Sequence, residues 1–411
     1  MKFLRRLASG AAAVAWLAGL PAVHAATLDI TAQFRADSGK PNENTFVNTT
    51  RNSGYCAQFP AYCESAGIFS LGWAGGASGG PIQANHQNPR QGPMVKAPAN
   101  WRTVQVTHAG TGHTENLQFR VVGIGGGVSL TPRASEIVGG GVDESTAVQM
   151  IFGSSWLYAP SPCITPNGSG FFPSPLWFFW KTPTEAACAK PARYSINRFE
   201  YASLSLAYEL RTPNPIGMAG GRYQGSLTLN LGPGQDFDFG DVVIPNDPVL
   251  TVNFTLDVEH VLKIEVPPGG DRVVLEPRQG WQAWLDSGVR PTELFRDQTF
   301  LISASAPFTM NLECQYNMQG DCGIDRPGIA TVPVYIYMTL PDGFTNSTGQ
   351  PINRIRLFSG ANNQKISVDR FVDRKPGTLH FVINSANFAY MIDRGPGTYA
   401  GTVTVIWNSE I

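Results

Sequence analysis

One nine-residue pattern occurs twice in this chain, first as Gly221-Arg222-Tyr223-Gln224-Gly225-Ser226-Leu227-Thr228-Leu229 and later as Gly397-Thr398-Tyr399-Ala400-Gly401-Thr402-Val403-Thr404-Val405. Both copies read Gly-x-Tyr-x-Gly-x-aliphatic-Thr-aliphatic. In a β-strand, where side chains alternate, the tyrosine, the second glycine and the two aliphatic residues share one face and the threonine lies on the other. The repeat therefore predicts two β-domains, each finished by its own tyrosine-bearing strand.

Composition favours an all-β fold for the whole chain. The 411 residues include 44 glycines and 31 prolines, and no window keeps apolar residues at the i, i+3, i+4, i+7 spacing of a helix. The formal net charge is −1. It becomes about −4 when the N-terminal cations Lys2, Arg5 and Arg6 are removed with an export signal. Because no basic stripe is present, nucleic acid is not an expected partner.

Residues 1–25 have the order of an export signal. Cations precede an apolar run over residues 7–20, and Val23-His24-Ala25 offers small residues for cleavage. The run is shorter than the ~20 residues that a membrane span requires. The sequence therefore predicts an exported protein whose mature chain begins at Ala26.

A change in composition, from loop-rich to strand-rich sequence, divides the mature chain. Residues 26–244 are loop-rich, whereas strand-like segments follow one another closely after Pro248. Pro245-Asn246-Asp247-Pro248 lies between the two parts and is typical of a linker. We expect a first domain over 26–244, a linker over 245–248 and a second domain over 249–411.

The six cysteines form three locally spaced pairs: Cys56 with Cys63, Cys163 with Cys188, and Cys314 with Cys322. In an exported chain, local pairing is the simplest arrangement, so three structural disulfides are predicted. The spacings do not match a metal site, and no histidine lies beside them.

Several motifs suggest catalysis or metal binding but lack a structural feature that the chemistry requires. Gly76-Ala77-Ser78-Gly79-Gly80 matches the nucleophile pattern of hydrolases, but a proline and a Gln/Asn-rich loop replace the required helix. His108 and His113 lack a third ligand. Neither a catalytic residue, a metal nor a cofactor is predicted from these motifs.

Calcium remains an open question at a short acidic segment. Asp236, Asp238 and Asp241 alternate with Phe237 and Phe239. Carboxylates at this spacing could hold calcium, but a buried phenylalanine face below a solvated acidic face is the favoured reading.

The second copy of the repeat, extended to Pro396-Gly397-Thr398-Tyr399-Ala400-Gly401-Thr402-Val403-Thr404-Val405-Ile406-Trp407, resembles the last strand of a pilin domain. Together with the export signal, the loop-rich first domain and the short linker, it makes the chain similar to two-domain tip adhesins of chaperone–usher pili. The resemblance implies two β-sandwich domains, of which the second is an incomplete immunoglobulin-like pilin module completed by donor-strand addition.

The resemblance also implies partners. A periplasmic chaperone, and then an adjacent pilus subunit, would supply the missing strand, and an outer-membrane usher would carry the protein to the pilus tip at the cell surface. The residues expected to contact the chaperone or subunit are Tyr399, Val403, Val405, Trp407 and the terminal Ile411. The first domain would bind a host or surface receptor, expected to be a glycan.

The Cys163–Cys188 segment is the candidate ligand site. It holds the aromatic residues Phe171, Phe172, Trp177, Phe178, Phe179 and Trp180. Exposed tryptophan faces can stack on sugars, and Lys181 and Arg193 would suit acidic glycans. The alternative is a buried strand, which we favour for Phe178. Strand alternation cannot place both faces of this segment in the same environment, so the environments of Trp177 and Trp180 stay open.

Two other functions are kept as alternatives. A structural pilus subunit would be a single domain with a free N-terminal donor strand. A secreted glycan-active enzyme would need paired carboxylates that meet in one cleft. The sequence favours the non-enzymatic adhesin.

Overall fold

The computed structural model describes residues 26–37, 39–40, 42–73, 75–166, 176–360 and 364–409. The predicted export signal, Phe171, Phe172 and Ile411 lie outside these ranges. Within them strands predominate over short helices, so the all-β prediction is confirmed.

The first part of the chain contains, in order, β1 (Ala26–Arg35), β2 (Val47–Asn48), α1 (Tyr55–Gln58), α2 (Pro60–Ala66), β3 (Leu71–Gly72), β4 (Ala77–Gly79), β5 (Met94–Val95), β6 (Arg102–His108), β7 (Thr114–Thr131), α3 (Ala134–Ile137), α4 (Glu144–Phe152), β8 (Trp177–Lys181), β9 (Cys188–Ala189), β10 (Arg198–Arg211), β11 (Gly221–Asn230), β12 (Val243–Pro245) and β13 (Val249–Glu259). Short 3-10 helices cover Pro89–Gln91 and Pro215–Gly217.

One large sheet organises this part. Its strand order is β12-β4-β10-β7-β6-β11-β13-β1-β2, with β3 paired to β10 and β8 paired to β7. β5 and β9 form a separate small ladder. The inward side chains of the large sheet meet in one hydrophobic core that includes Phe119, Trp156 and Phe254.

The predicted domain boundary at 245–248 is wrong, because β13 belongs to the first sheet. β13 pairs with β11 in antiparallel fashion from Val249 to Val258. It also pairs with β1 in parallel fashion along all ten residues of β1. The Pro-Asn-Asp-Pro segment is therefore a connection between two strands of one sheet. The first domain extends to Glu259, and β11 is not its last strand.

The second part of the chain contains β14 (Leu262–Glu265), α5 (Gly280–Ser287), β15 (Leu294–Ala304), β16 (Phe308–Cys314), β17 (Tyr316–Met318), β18 (Asp321–Arg326), β19 (Ala330–Thr339), β20 (Phe344–Asn346), β21 (Ile355–Leu357), β22 (Gln364–Val368), β23 (Val372–Ile383), α6 (Ser385–Asp393) and β24 (Val403–Ser409).

Two sheets enclose a second core. One sheet has the order β14-β15-β23-β19-β18-β17 with β21 on β19, and the other has the order β20-β22-β16-β24. Phe308 and Ile336, from different sheets, are almost completely buried in the shared core. In β19 the inward residues Val332, Val334, Ile336 and Met338 alternate with half-buried ones, as predicted.

The repeated glycines have a common structural reason. A Cβ atom on Gly225 would lie 2.3 Å from the carbonyl oxygen of Gln105, and one on Gly401 would lie 2.6 Å from that of Gly323. Both distances are too short for a side chain, so each copy needs glycine where its backbone crosses a neighbouring strand. Tyr223 is fully buried, and its hydroxyl accepts a hydrogen bond from the amide of Ala219.

All three predicted disulfides are present: Cys56–Cys63, Cys163–Cys188 and Cys314–Cys322. Cys56–Cys63 joins α1 to α2, and Cys163–Cys188 ties β9 to the segment before β8.

Candidate functional site

The second domain has two open strand edges, one on each sheet, which we together call the seam. β24 pairs with β16, and β14 pairs with β15, but among the described residues neither has a strand on its other edge. The ring of Trp407 on β24 lies 5.2 Å from that of Phe300 on β15, the strand that pairs with β14. The seam is thus bounded by β24 on one sheet and β14 on the other.

Apolar side chains line the seam without being covered. Val403, Val405 and Trp407 pack against the core but remain half-buried, as do Leu262 and Ile264 on β14. On the neighbouring strand β16 the corresponding inward residues are at most 2 % exposed. The core is therefore complete under β16 and incomplete under the seam.

An edge of this kind can accept another strand. Its unpaired amide and carbonyl groups offer main-chain hydrogen bonds, while its apolar row offers a surface for alternate side chains of the added strand. Tyr399 precedes β24 and is half-buried, with a buried hydroxyl that has no hydrogen-bond partner among the described residues. Ile411, the last predicted contact residue, lies outside those residues.

The aromatic segment of the first domain forms a strand, β8, that is buried on both faces. Phe178 and Trp180 are fully buried beside Trp156, with ring centroids of Trp156 and Trp180 5.5 Å apart. Phe179 faces the opposite side, where it packs against Tyr55 of α1. The favoured reading of Phe178 as a core residue holds.

The structure does not support a ligand role for Trp180, which is 0 % exposed. Trp177 is half-buried and contacts the ring of Phe59 at 5.3 Å. Alternation alone could not foresee this arrangement, because the helix pair α1–α2 covers the face that would otherwise be in water.

The two predicted cations are not gathered around Trp177. Lys181 ends β8, is half-buried, and exchanges main-chain hydrogen bonds with Ile164. Arg193 is exposed and lies against Gly153 at the end of α4, where its backbone amide donates to Ile151. The four predicted ligand residues therefore do not form one site.

A buried lysine was missed by sequence reasoning. Lys190 is 4 % exposed, and its Nζ donates to Ser154 Oγ at 2.8 Å and to the carbonyl oxygen of Ser155 at 2.7 Å. Burial lowers the pKa of Lys190 to about 8. Nothing in the local sequence signals this, because the contacts come from a loop more than thirty residues away.

The acidic segment is held by arginines. Arg90 pairs with Asp238 and Asp241, each at 2.7 Å, and Arg102 pairs with Asp236 at 2.7 Å. Burial opposes ionisation of Asp238, but hydrogen bonds from Arg90 and from backbone amides outweigh it and hold its pKa below the ordinary value. Phe237 and Phe239 are buried as expected, whereas Asp238 is buried rather than solvated.

His108 has a structural place at the β6–β7 hairpin. Its Nδ1 accepts from the amides of Gly110 and Thr111, and its Nε2 lies 3.0 Å from the carbonyl oxygen of Gly220. Within the ranges that the structure describes, no three His, Cys, Asp or Glu side chains cluster as a metal site would require. Within the same ranges, no helix combines the length and apolar character needed to cross a bilayer.

No protein-family model matches the chain, and no curated protein is detectably similar to it. The similar solved structures are fimbrial and pilus adhesins. A chaperone-tip adhesin complex of CFA/I fimbriae has 11% identity and a TM-score of 0.25, covering 94% of this chain and 96% of that chain. CfaE, the adhesive subunit of the CFA/I fimbria of enterotoxigenic Escherichia coli, has 10% identity and a TM-score of 0.27, covering 94% and 93%.

A third similar structure is the CsuC-CsuE chaperone-tip adhesion subunit pre-assembly complex from archaic chaperone-usher Csu pili of Acinetobacter baumannii. It has 10% identity and a TM-score of 0.22, covering 83% of this chain and 91% of that chain. Such low TM-scores and identities carry no argument about function, which has to stand on the geometry of the seam.

Proposed function

We propose that the chain is the adhesin at the tip of a chaperone–usher pilus. Its second domain is an incomplete immunoglobulin-like sandwich that a periplasmic chaperone, and then the adjacent pilus subunit, completes with a donated strand. Its first domain binds a receptor on a host cell or another surface. The observation that carries the proposal is the half-buried apolar row of β24 on an open sheet edge.

The pairing of β1 with β13 argues against an ordinary structural pilus subunit. Such a subunit would keep its N-terminal strand free for donation, but β1 is paired with β13 along all ten residues. The adhesin reading requires no such free strand. Asp238 and Asp236 are engaged by Arg90 and Arg102, which suits a structural role for these carboxylates.

Export and assembly follow from the same proposal. Residues 1–25 direct the chain to the periplasm, the outer-membrane usher delivers it to the surface, and the protein resides at the pilus tip. The chaperone contacts Ile411, which comes two residues after β24 in the sequence.

The test is to produce the full chain in the periplasm in three forms: alone, with a pilus chaperone, and with a donor strand fused after Ile411 by a flexible linker. We expect the chain alone to aggregate or be degraded, because an open apolar edge invites association. Either helper should give a soluble species that melts cooperatively. Size-exclusion chromatography and thermal melting provide the measurement.

A matched pair of variants locates the effect. Val405→Lys places an ammonium group on the half-buried apolar row, whereas Thr404→Lys places it on the exposed neighbouring position of the same strand. Val405→Lys should abolish the chaperone complex and Thr404→Lys should preserve it. A helper-free chain that is monomeric, and whose melting temperature the fused strand leaves unchanged, contradicts the proposal.

A further inference from the structure

An open polar pocket of about 400 Å³ lies beside β1 in the first domain. Five hydroxyl side chains line it, those of Thr27, Thr31, Thr49, Thr50 and Ser53. β2 covers β1 only at Ala32 and Gln33, so the pocket occupies the free edge before that point. Its volume is within the range of small-molecule sites.

The pocket also holds one carboxylate and one guanidinium that are not paired with each other. Asp29 and Arg51 both line it, yet no ion pair joins them in the described part of the chain, and both side chains are exposed. Asp29 Oδ1 accepts from Asn253 Nδ2 at 2.9 Å. A carboxylate that accepts hydrogen bonds and a guanidinium that donates them together suit a ligand rich in hydroxyl groups.

The walls of the pocket are fixed before any ligand arrives. Thr50 Oγ1 donates to the carbonyl oxygen of Thr31 at 3.0 Å and accepts from its amide at 2.9 Å. Ser53 Oγ accepts from the amide of Gly72 at 3.0 Å. β1 itself is held by its full-length pairing with β13. Rigid walls reduce the entropy lost on binding.

The surface next to the pocket is polar and uncharged. The outward residues that neighbour Thr27, Asp29 and Thr31 on β13 and β11 carry hydroxyl or amide groups. They are Thr251, Asn253, Thr255, Gln224, Ser226 and Thr228. Such a face offers hydrogen bonds to an uncharged ligand without attracting highly charged ones.

The pocket lies far from the second domain. In the β1–β13 ladder, Thr27 pairs with Thr251 and Arg35 pairs with Glu259, the residue before the domain junction. The eight residue steps from Thr27 to Arg35 span about 26 Å, and the four from Thr31 to Arg35 about 13 Å, at the rise of a strand. The pocket therefore lies toward the start of β1, whereas the domain junction follows its end.

We propose that this pocket is a saccharide-binding site in which Asp29 accepts hydrogen bonds from vicinal hydroxyls of a neutral sugar and Arg51 donates to its oxygens. The site rests on the proposed adhesin function, since it supplies the receptor class and the place of binding. It replaces the aromatic segment, whose Trp180 is buried and whose cations lie apart.

The experiment uses the full chain carrying the fused donor strand, or its chaperone complex, on an array of neutral and acidic glycans. Asp29→Asn keeps an oxygen for Asn253 while removing the charge, and Arg51→Gln removes the guanidinium at an exposed position. Both variants should keep the parental melting temperature and weaken saccharide binding at least tenfold. Thr103→Val, on the exposed face of β6 outside the pocket, is the matched control and should bind as the parent does.

Each contrary result has a definite meaning. A parent that binds neutral saccharides while both variants bind equally well places the site elsewhere and overturns the pocket. A parent that binds no glycan, or only acidic ones, overturns the ligand class. The chaperone complex and the Val405→Lys variant report on the seam separately, so a failed saccharide site leaves the proposed function standing.

Discussion

Lys190 brings an ammonium group into the first core without a balancing carboxylate among the described residues. Two neutral oxygens, from Ser154 and Ser155, accept its hydrogen bonds, and the ring of Trp156 lies 5.6 Å from Nζ. Burial disfavours the charged form, which is why the pKa of Lys190 falls from 10.5 to about 8.

Lys190→Met should raise the free energy of unfolding at pH 7 by about 1–3 kcal/mol, because an uncompensated buried charge is removed while the side-chain volume is kept. The folded-state pKa lies below the unfolded value. Lys190 therefore lowers the free energy of unfolding most below pH 8, and this destabilisation disappears as pH rises from 8 to 10.5. The difference in melting temperature between variant and parent should shrink over that range.

The control for this prediction is Lys181→Met. Lys181 is half-buried at the end of β8, so the substitution should change stability little and without a trend between pH 8 and 10.5. A Lys190→Met protein that is less stable than the parent at pH 7 would show that the two hydrogen bonds outweigh the cost of burial.

The sequence identifies β13 as a strand but does not show which sheet it joins. Its alternation identifies a strand with one buried face, and Leu250, Val252, Phe254, Leu256 and Val258 are all at most 3 % exposed. Alternation cannot say which sheet a strand joins, because pairing partners are distant in sequence. The prolines at 245 and 248 looked like a linker but only break the chain between β12 and β13.

A fragment of residues 26–259 should therefore fold, whereas 26–248 should not. Removing β13 deletes the strand between β11 and β1 and five buried apolar side chains. Each such side chain contributes about 1.5–3 kcal/mol, so the five together contribute about 7–15 kcal/mol, as much as the usual stability of a whole domain. Circular dichroism melts of the two fragments provide the measurement. Equal cooperative transitions would restore the boundary at 245–248.

The candidate sites were predictable to different degrees. Val403, Val405 and Trp407 could be placed on a last strand because their pattern is local, and their half-burial on an open edge agrees with that reading. Trp177 could not be placed, since the cover over its face of β8 comes from α1 and α2. The pocket of Asp29 and Arg51 left no sequence signal, because it forms only where two separate segments meet.

At the scale of the whole molecule, the large cores of the two domains meet near His260. His260 Nε2 lies 2.8 Å from the carbonyl oxygen of Met218 in the first domain, and its Nδ1 lies 3.2 Å from Ser305 Oγ in the second. The ring also contacts Phe34 at 5.7 Å. In the neutral imidazole, Nε2–H donates to Met218 and Nδ1 accepts from the serine, so one tautomer bridges both domains.

The contact between the two domains at His260 should become less stable at acidic pH. Burial lowers the pKa of His260 below 6.5, so its stabilising contribution is present above pH 6.5 and is lost as pH falls through the lower folded-state value. A protonated ring can no longer accept from Ser305. Proteolysis of the full chain with its donor strand, cutting around residues 259–262, should be faster at pH 5 than at pH 7.5.

His260→Gln keeps an amide donor without titrating and should flatten this pH dependence of proteolysis. His113→Gln, at an exposed site, is the control and should retain it. If His260→Gln keeps the parental pH dependence, the acid response arises elsewhere in the molecule.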